Sequence, residues 1–264
     1  MKITKVYCAC FSPANTTKKV ISEIGASFQD YPVEKVNLTD YDVRQQPLSL
    51  CETDLLILGV PSYGGRVPSP VSECLSHFCG DRTPAVLVAT YGNRAIDDTL
   101  MELKVLLSER GFLPVAAGSF VCQHTFLSDL AFQRPDEKDI EIIHSFGDAI
   151  RERLSSVNLD NMDPLDVPGS YPYKKEPMHL FPFQVETNEF CIYCMLCAQT
   201  CPVKAIGKNN PKNIRHNECI RCGSCIRICP AGAKFFTPEP FKTLQEELLR
   251  PLCSTRLEPW YTII

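Results

Sequence analysis

No stretch of this chain is apolar for long enough to span a bilayer, and the run at residues 6–11, although preceded by Lys2 and Lys5, is too short for a secretory signal. The expectation is a cytoplasmic protein. Neither a G-x-G-x-x-G fingerprint nor a Walker loop is present, which leaves a nicotinamide or nucleoside-triphosphate site without support. Charge of one sign is missing too: 27 Lys and Arg stand against 31 Asp and Glu, and no nucleic-acid partner is expected. Histidine is scarce, and His77, His144, His179 and His216 lack the paired spacing of a metal site.

What the chain has in excess is cysteine, 15 in 264 residues. Eight of these form two successive motifs, Cys191-x-x-Cys194-x-x-Cys197-x-x-x-Cys201-Pro202 and Cys219-x-x-Cys222-x-x-Cys225-x-x-x-Cys229-Pro230. Three thiolates so spaced hold three irons of one cubane and the fourth iron is reached from elsewhere in the fold, so the spacing implies that the fourth cysteines cross over. The assignment is one 4Fe-4S cluster on Cys191, Cys194, Cys197 and Cys229, and a second on Cys219, Cys222, Cys225 and Cys201. The proline after each fourth cysteine stops the x-x-x helix and turns the chain back. A zinc ribbon also uses Cys-x-x-Cys pairs, but tetrahedral zinc needs only two pairs and leaves the third cysteine of each triple idle. With Val203-Lys204-Ala205-Ile206 and Ala231-Gly232-Ala233-Lys234 behind the prolines, residues 186–236 resemble a bacterial two-cluster ferredoxin.

Such a module fills only part of the chain, whose length suits one ordinary domain and one small one. The remaining cysteines, Cys8, Cys10, Cys51, Cys74, Cys79, Cys122 and Cys253, are an odd set in apolar surroundings and read as reduced, buried thiols more than as a disulfide frame. Charge divides by region. Residues 1–155 carry 15 basic and 20 acidic side chains, a balance of −5, whereas residues 186–235 carry 7 basic and 3 acidic, a balance of +4. The basic module is either an ordinary solvated face or a docking surface, for the acidic front half or for an acidic redox partner such as a ferredoxin or flavodoxin.

The front half alternates strand and helix patterns. Strands are expected at residues 3–9, 33–38, 55–60, 85–90 and 113–121. Helices are expected at 18–24, 70–78 and 96–110, the last with Leu100, Leu103, Leu106 and Leu107 on one face and Gly111 as its stop. A further helix opens at Pro135 with Ile140, Ile143, Ile150 and Leu154 as its apolar stripe. This alternation implies a parallel sheet covered on both faces. Between the first strand and helix stands Phe11-Ser12-Pro13-Ala14-Asn15-Thr16-Thr17, either a phosphate cradle of hydroxyls and helix N–H groups or a simple N-cap at Thr16 or Thr17.

Behind the third strand comes Gly59-Val60-Pro61-Ser62-Tyr63-Gly64-Gly65-Arg66-Val67-Pro68, and behind the fourth Ala89-Thr90-Tyr91-Gly92-Asn93-Arg94. With these loops the front half resembles a flavodoxin. The resemblance implies an α/β, doubly wound, five-stranded parallel sheet of order 2-1-3-4-5 with FMN at the carboxyl ends of the strands, followed by a small α+β two-cluster ferredoxin domain. It assigns flavin contacts to Ser12, Asn15, Thr16, Thr17, Pro61, Ser62, Tyr63, Gly64, Gly65, Thr90, Tyr91, Gly92 and Asn93. Tyr63 is placed to stack on the ring and the glycines to let backbone approach it. Tyr63 and Tyr91 read equally as core lids, Arg66 and Arg94 as surface charges, and His124 as either a ligand contact or a structural histidine. Nearly the whole chain resembles fused flavodoxin-ferredoxin proteins of anaerobic microbes. Where those usually carry Thr-Gly this chain has Ala14-Asn15, which removes a hydroxyl and asks Asn15 to take a glycine-like turn.

The expected division is a flavodoxin-like domain at 1–156, a Pro/aromatic linker at 157–185 lying across its surface, the ferredoxin domain at 186–236, and a helical extension at 237–264. The function expected from the resemblance is electron transfer between two 4Fe-4S clusters and FMN, linking one-electron and two-electron redox partners. One alternative is a flavin-dependent reductase of a small acceptor such as a quinone or enone, fed by its own clusters. Another is a ferredoxin whose flavodoxin-like domain holds no flavin and serves for docking.

Overall fold

The computed structural model describes residues 2–156, 159, 162–176 and 182–264. In chain order the first lobe contains β1 (Lys5–Cys10), α1 (Thr16–Ala26), β2 (Val33–Asn37), α2 (Tyr41–Arg44), β3 (Leu48–Leu50), β4 (Asp54–Pro61), α3 (Ser69–Leu75), β5 (Phe78–Gly80), β6 (Thr83–Tyr91), α4 (Thr99–Ser108), β7 (Phe112–Val121) and α5 (Glu137–Ser156). The cysteine module contains β8 (Val185–Thr187), α6 (Leu196–Gln199), α7 (Ser224–Ile228) and β9 (Lys234–Phe236). Then come α8 (Pro238–Thr243), a π-helical turn at Leu244–Leu249, a 3-10 turn at Arg250–Ser254 and a last strand, β10 (Trp260–Ile263).

The main sheet runs β10-β7-β6-β4-β1-β2, with every pair parallel except β10 on β7. Its five parallel strands therefore stand in the expected 2-1-3-4-5 order. Side chains alternate between the two faces, and both faces are dry. Leu55 and Ile57 of β4 pack with Val20, Ile21 and Ile24 of α1 and Ile143, Phe146 and Ile150 of α5. Leu56, Leu58 and Val60 face the other way, onto Val71 and Leu75 of α3 and Leu100, Leu103 and Leu107 of α4. Of the seven cysteines outside the motifs, Cys8, Cys10, Cys74 and Cys122 are buried, whereas Cys51, Cys79 and Cys253 are exposed, and none is in a disulfide.

Three features depart from the sequence reading. Residues 48–50 and 78–80 pair as a separate two-stranded sheet, too short to carry a recognisable period. The C-terminal extension is only partly helical: Trp260–Ile263 returns to the first lobe as an antiparallel sixth strand on β7. Arg66 is buried, not a surface charge. Its guanidinium forms a paired bond with Glu102 at 2.8 Å on both sides and stacks 4.1 Å from the Tyr173 ring centroid.

The described part of the linker lies across the first lobe. Leu165 and Val167 join the α3/α4 core, and the Asp98 carboxylate accepts backbone N–H groups of Ser170, Lys174 and Lys175 at 2.7–2.9 Å. Asp160, Pro177, His179 and Phe181 of the expected linker lie outside the described residues. The module is seated on the first lobe at two places. Arg44, buried, donates to Leu38 O at 2.7 Å and to Pro202 O, and Lys204 Nζ pairs with Asp42 at 2.6 Å. Phe126, Phe183, Phe236 and Phe241, from four separate segments, meet with ring centroids 4.7–5.8 Å apart.

Candidate functional site

At the carboxyl ends of the parallel strands, where a doubly wound sheet places its ligand, lies a cavity of about 540 Å³. Thr16, Pro61, Ser62, Tyr63, Gly64, Thr90, Tyr91 and Gly92 line its floor, as the resemblance assigned them. The loop after β4 closes as a tight turn in which Tyr63 and Arg66 exchange backbone bonds. Gly64 and Gly65 supply the left-handed conformations it needs, with φ 61° and 86°. At Gly92 a side chain is excluded by distance, because a Cβ there would stand 2.2 Å from Cδ2 of His124.

Five assigned residues do not line the cavity. Thr17 is wholly buried, its hydroxyl 2.7 Å from that of Thr90, tying α1 to the end of β6. Gly65 packs against Asp97. Asn93 is turned to the C-terminal segment: its side chain donates to Thr255 O at 2.6 Å and Leu252 O at 3.3 Å and accepts from Leu257 N–H at 3.0 Å. Ser12 and Asn15 sit in the loop before α1. Ser12 Oγ accepts Lys18 N–H at 2.9 Å, which leaves its own proton to donate. Asn15 takes φ 64°, the glycine-like turn, and caps α1 without a side-chain bond and with no acidic residue in the first turn. The first-turn N–H groups of Thr16 and Thr17 are therefore left for an anion, Lys18 N–H being taken by Ser12, and the loop fits a phosphate.

Much of the roof was not foreseen. Phe126 and Phe183 close it, together with Ile220, Arg221 and Cys222 of the module and Pro240, Thr243, Leu244, Leu248 and Leu249 of the C-terminal segment. Of these, the last five fall in the stretch that the sequence reading gave only as a helical extension. His124 also lines the cavity. Its Nδ1 accepts Phe126 N–H at 3.0 Å, so the neutral ring carries its proton on Nε2. Burial, with Arg94 and Arg227 adding repulsion, pushes its pKa from 6.5 down to about 4. Burial likewise raises the Tyr63 phenol well above its ordinary value and the Cys122 thiol to about 12, so both stay protonated.

Two small cavities lie in the module. Cys191, Cys194, Cys197 and Cys229 line one, and Cys201, Cys219, Cys222 and Cys225 line the other, the same two crossed sets that the spacing assigned. Among the described residues no three Cys, His, Asp or Glu side chains converge as a single ion needs. Four thiols spread around a void suit a cubane better, since its iron corners stand apart. Tyr193, Met195, Lys204 and Arg221 hold φ between 52° and 63°, the left-handed conformation from which anion-binding backbone nests are built. At Cys229, burial is outweighed by the N–H groups of Ala233, Ala231 and Lys234, and its pKa falls below the ordinary thiol value. Ala233 N–H lies 3.2 Å from its Sγ.

Lys234 is the strongest test of fit. It is 3% exposed, its Nζ donates to Thr187 Oγ1 at 2.6 Å and to Pro211 O, and no carboxylate pairs with it among the described residues. A buried ammonium needs an anion nearby. Lys234 acts electrostatically on Cys197, Cys219, Cys225 and Cys229, members of both sets, so thiolate-bound anionic centres on either side would supply the missing charge.

The molecule thus joins a lobe of flavodoxin-like fold to an iron-sulfur domain, two parts whose cavities share lining residues. Residues 184–230 match the family described as "4Fe-4S dicluster domain". A curated relative, NADH-quinone oxidoreductase subunit I 2 of Streptomyces coelicolor, is 32% identical over 20% of this chain and 37% of its own length. The chain therefore spans little more than a third of that relative. Solved structures similar to the first lobe include a flavodoxin from the domain Archaea, with 14% identity, 58% of this chain and 99% of that one, and a TM-score of 0.40. Flavodoxin 2 from Bacillus cereus is 15% identical over 57% of this chain and 99% of its own, with a TM-score of 0.42. The fold assignment itself rests on the strand order.

Proposed function

We propose that this chain is an intracellular electron-transfer flavoprotein, holding two 4Fe-4S clusters in the module and FMN in the large cavity. The observation that carries the proposal is that Ile220 and Cys222 line both the large cavity and the cavity of the second cysteine set. The two voids therefore share a wall at those side chains, whereas the cavity of the first set shares no residue with the large one. When bound, the clusters would supply one-electron chemistry and the flavin one- or two-electron chemistry.

The chain's own residues have distinct parts in this. The eight cysteines ligate, and Lys234 balances their charge. The open N-terminus of α1 takes the flavin phosphate, and the loops 61–64 and 90–92 offer backbone to the ring edge. Phe126, Phe183 and Leu244 keep water from the wall between the two cofactors. Anaerobic purification tests the reading. The expected yield is two cubanes of iron and sulfide and one flavin per chain, with flavin reduction following cluster reduction. A flavin that stays oxidised while the iron centres are fully reduced, or a preparation with no flavin, would overturn it.

A further inference from the structure

The two halves of the cysteine module repeat each other in sequence: Ile192 corresponds to Ile220, Tyr193 to Arg221, and Leu196 to Ser224. Their backbones repeat too. Tyr193, Met195 and Lys204 have φ of 55°, 63° and 52°, and Arg221, Gly223 and Gly232 have 53°, 73° and 58°. Their surroundings do not. In the second half Arg221 and Ser224 are buried and Ile220 packs on the first-lobe core, so the first lobe covers this face. In the first half Phe190, Ile192 and Tyr193 are 65%, 65% and 52% exposed, and Leu196 and Ile228 are exposed as well. Each of these five residues adjoins a cysteine of the first set, so the same face of the repeat is bare and apolar here.

We propose that this bare face is the docking surface for an acidic one-electron carrier protein, which seats its redox centre against the first cysteine set as the first lobe seats its cavity against Cys222. The proposal rests on the two-cluster reading above. Charge selects the partner. Lys212 Nζ lies 5.5 Å from the Tyr193 ring centroid, and the neighbouring Pro211 lines the first cavity. Lys208 is exposed on the same loop, and Glu189 is the one carboxylate beside the patch between residues 188 and 198. On the covered side the module already shows how it meets a neighbour, Lys204 taking the Asp42 carboxylate at 2.6 Å. An apolar centre with lysines at its edge calls for a partner with carboxylates at its own. In each encounter one electron leaves the carrier's reduced iron-sulfur centre, which is oxidised, and is taken up at the site of Cys191, Cys194, Cys197 and Cys229, which is reduced. No bond changes and no proton moves.

The test uses the anaerobically purified holoprotein, its Phe190→Glu and Lys212→Glu variants, and an acidic 2Fe-2S ferredoxin as the carrier. The bimolecular rate of reduction by the reduced carrier should fall at least tenfold in each variant while reduction by dithionite keeps its wild-type rate. The affinity of the two oxidised proteins should fall in parallel, and the wild-type rate should decline with added salt. Lys212→Glu leaves the apolar centre untouched, so it stays readable if Phe190→Glu disturbs the fold. Wild-type rates in both variants, a salt-independent rate, or no exchange between carrier and wild type would overturn the docking face while leaving internal transfer standing. A flavin left oxidised after dithionite has reduced the iron centres overturns the underlying reading instead.

Discussion

Asn93 holds the roof of the large cavity, and its removal is the most direct test of how that roof works. The side chain is buried and makes its bonds at 2.6, 3.0 and 3.3 Å, all to the backbone of residues 252–257. Its φ is 59°, a conformation that glycine adopts without strain. Asn93→Gly therefore deletes the bonds and keeps the turn, whereas Asn93→Ala would add backbone strain of about 1–2 kcal/mol. When the segment lifts, its carbonyls and N–H pass to water, so each good bond contributes a net 0.5–1.5 kcal/mol, and two such bonds about 1–3 kcal/mol. That corresponds to roughly 5- to 150-fold more frequent opening. Amide hydrogen exchange at residues 244–257 should accelerate by that factor while the strands of the main sheet keep their protection. β10 anchors the far end and should also stay protected. Unchanged exchange at 244–257 would show that Asn93 is not the clasp.

Gly92→Ala would drive His124 from its place, since the new Cβ would stand 2.2 Å from its ring, and FMN affinity measured by fluorescence should fall at least tenfold. His124 also gives a pH signature. Its folded pKa of about 4 lies below the unfolded 6.5, so the unfolded chain takes the proton first; the stability due to burying the neutral ring is full above about pH 6.5 and is lost between there and 4. His124→Gln should flatten that part of the unfolding curve, by at most about 3 kcal/mol. Burial opposes ionisation of Asp98, but the N–H groups of Lys175, Ser170 and Lys174 and the charge of Arg66 hold its pKa below the usual carboxylate value. Its stabilisation is thus present above the unfolded value and lost only as pH falls through the folded one. Proteolysis of residues 164–176 should be flat from pH 8 to 5 in the wild type and about tenfold faster throughout in Asp98→Asn.

The parallel sheet was legible because β4, β6 and β7 are continuous apolar runs, which only a sheet covered on both faces accepts. The two cysteine triples were legible because two-residue gaps bring three thiols to one void, and the crossed fourth cysteine of each set followed from the two-cluster pattern. What escaped was information carried by tertiary contact. Asn93 has the same sequence neighbours whether it faces a ligand or a distant carbonyl, and only the return of residues 252–257 decides. Arg66 resembled a surface charge until Glu102, 36 residues on and one helix away, appeared beside it. The last strand, four residues with Trp260 and Tyr261 partly exposed, has too little alternation to be distinguished from the turn before it.

Lys234 shows what such contacts add to the chemistry. As a sequence position it was one of seven cations in a basic module, with nothing to set it apart from Lys204 or Arg221. In the structure Lys204 is engaged with Asp42. Arg221 is buried, donating to His216 O at 2.8 Å and to Phe183 O and Cys219 O, so reversing its charge would unmake the loop rather than tune it. Lys234 instead lines the cavity of the first set, out of water and with no carboxylate paired to it among the described residues, and its charge reaches Cys219 and Cys225 of the second. A unit charge about 6 Å away at an effective dielectric of about 20 contributes about 3 kcal/mol, on the order of 100 mV for one electron. Reduction adds negative charge, so deleting the cation should lower the potential of both clusters. Lys234→Met keeps the packing volume and should move two potentials downward together in a redox titration followed by electron paramagnetic resonance. A downward shift in only one would place the ammonium with that cluster alone, and no shift in either would mean that the buried charge is balanced by something other than the thiolates.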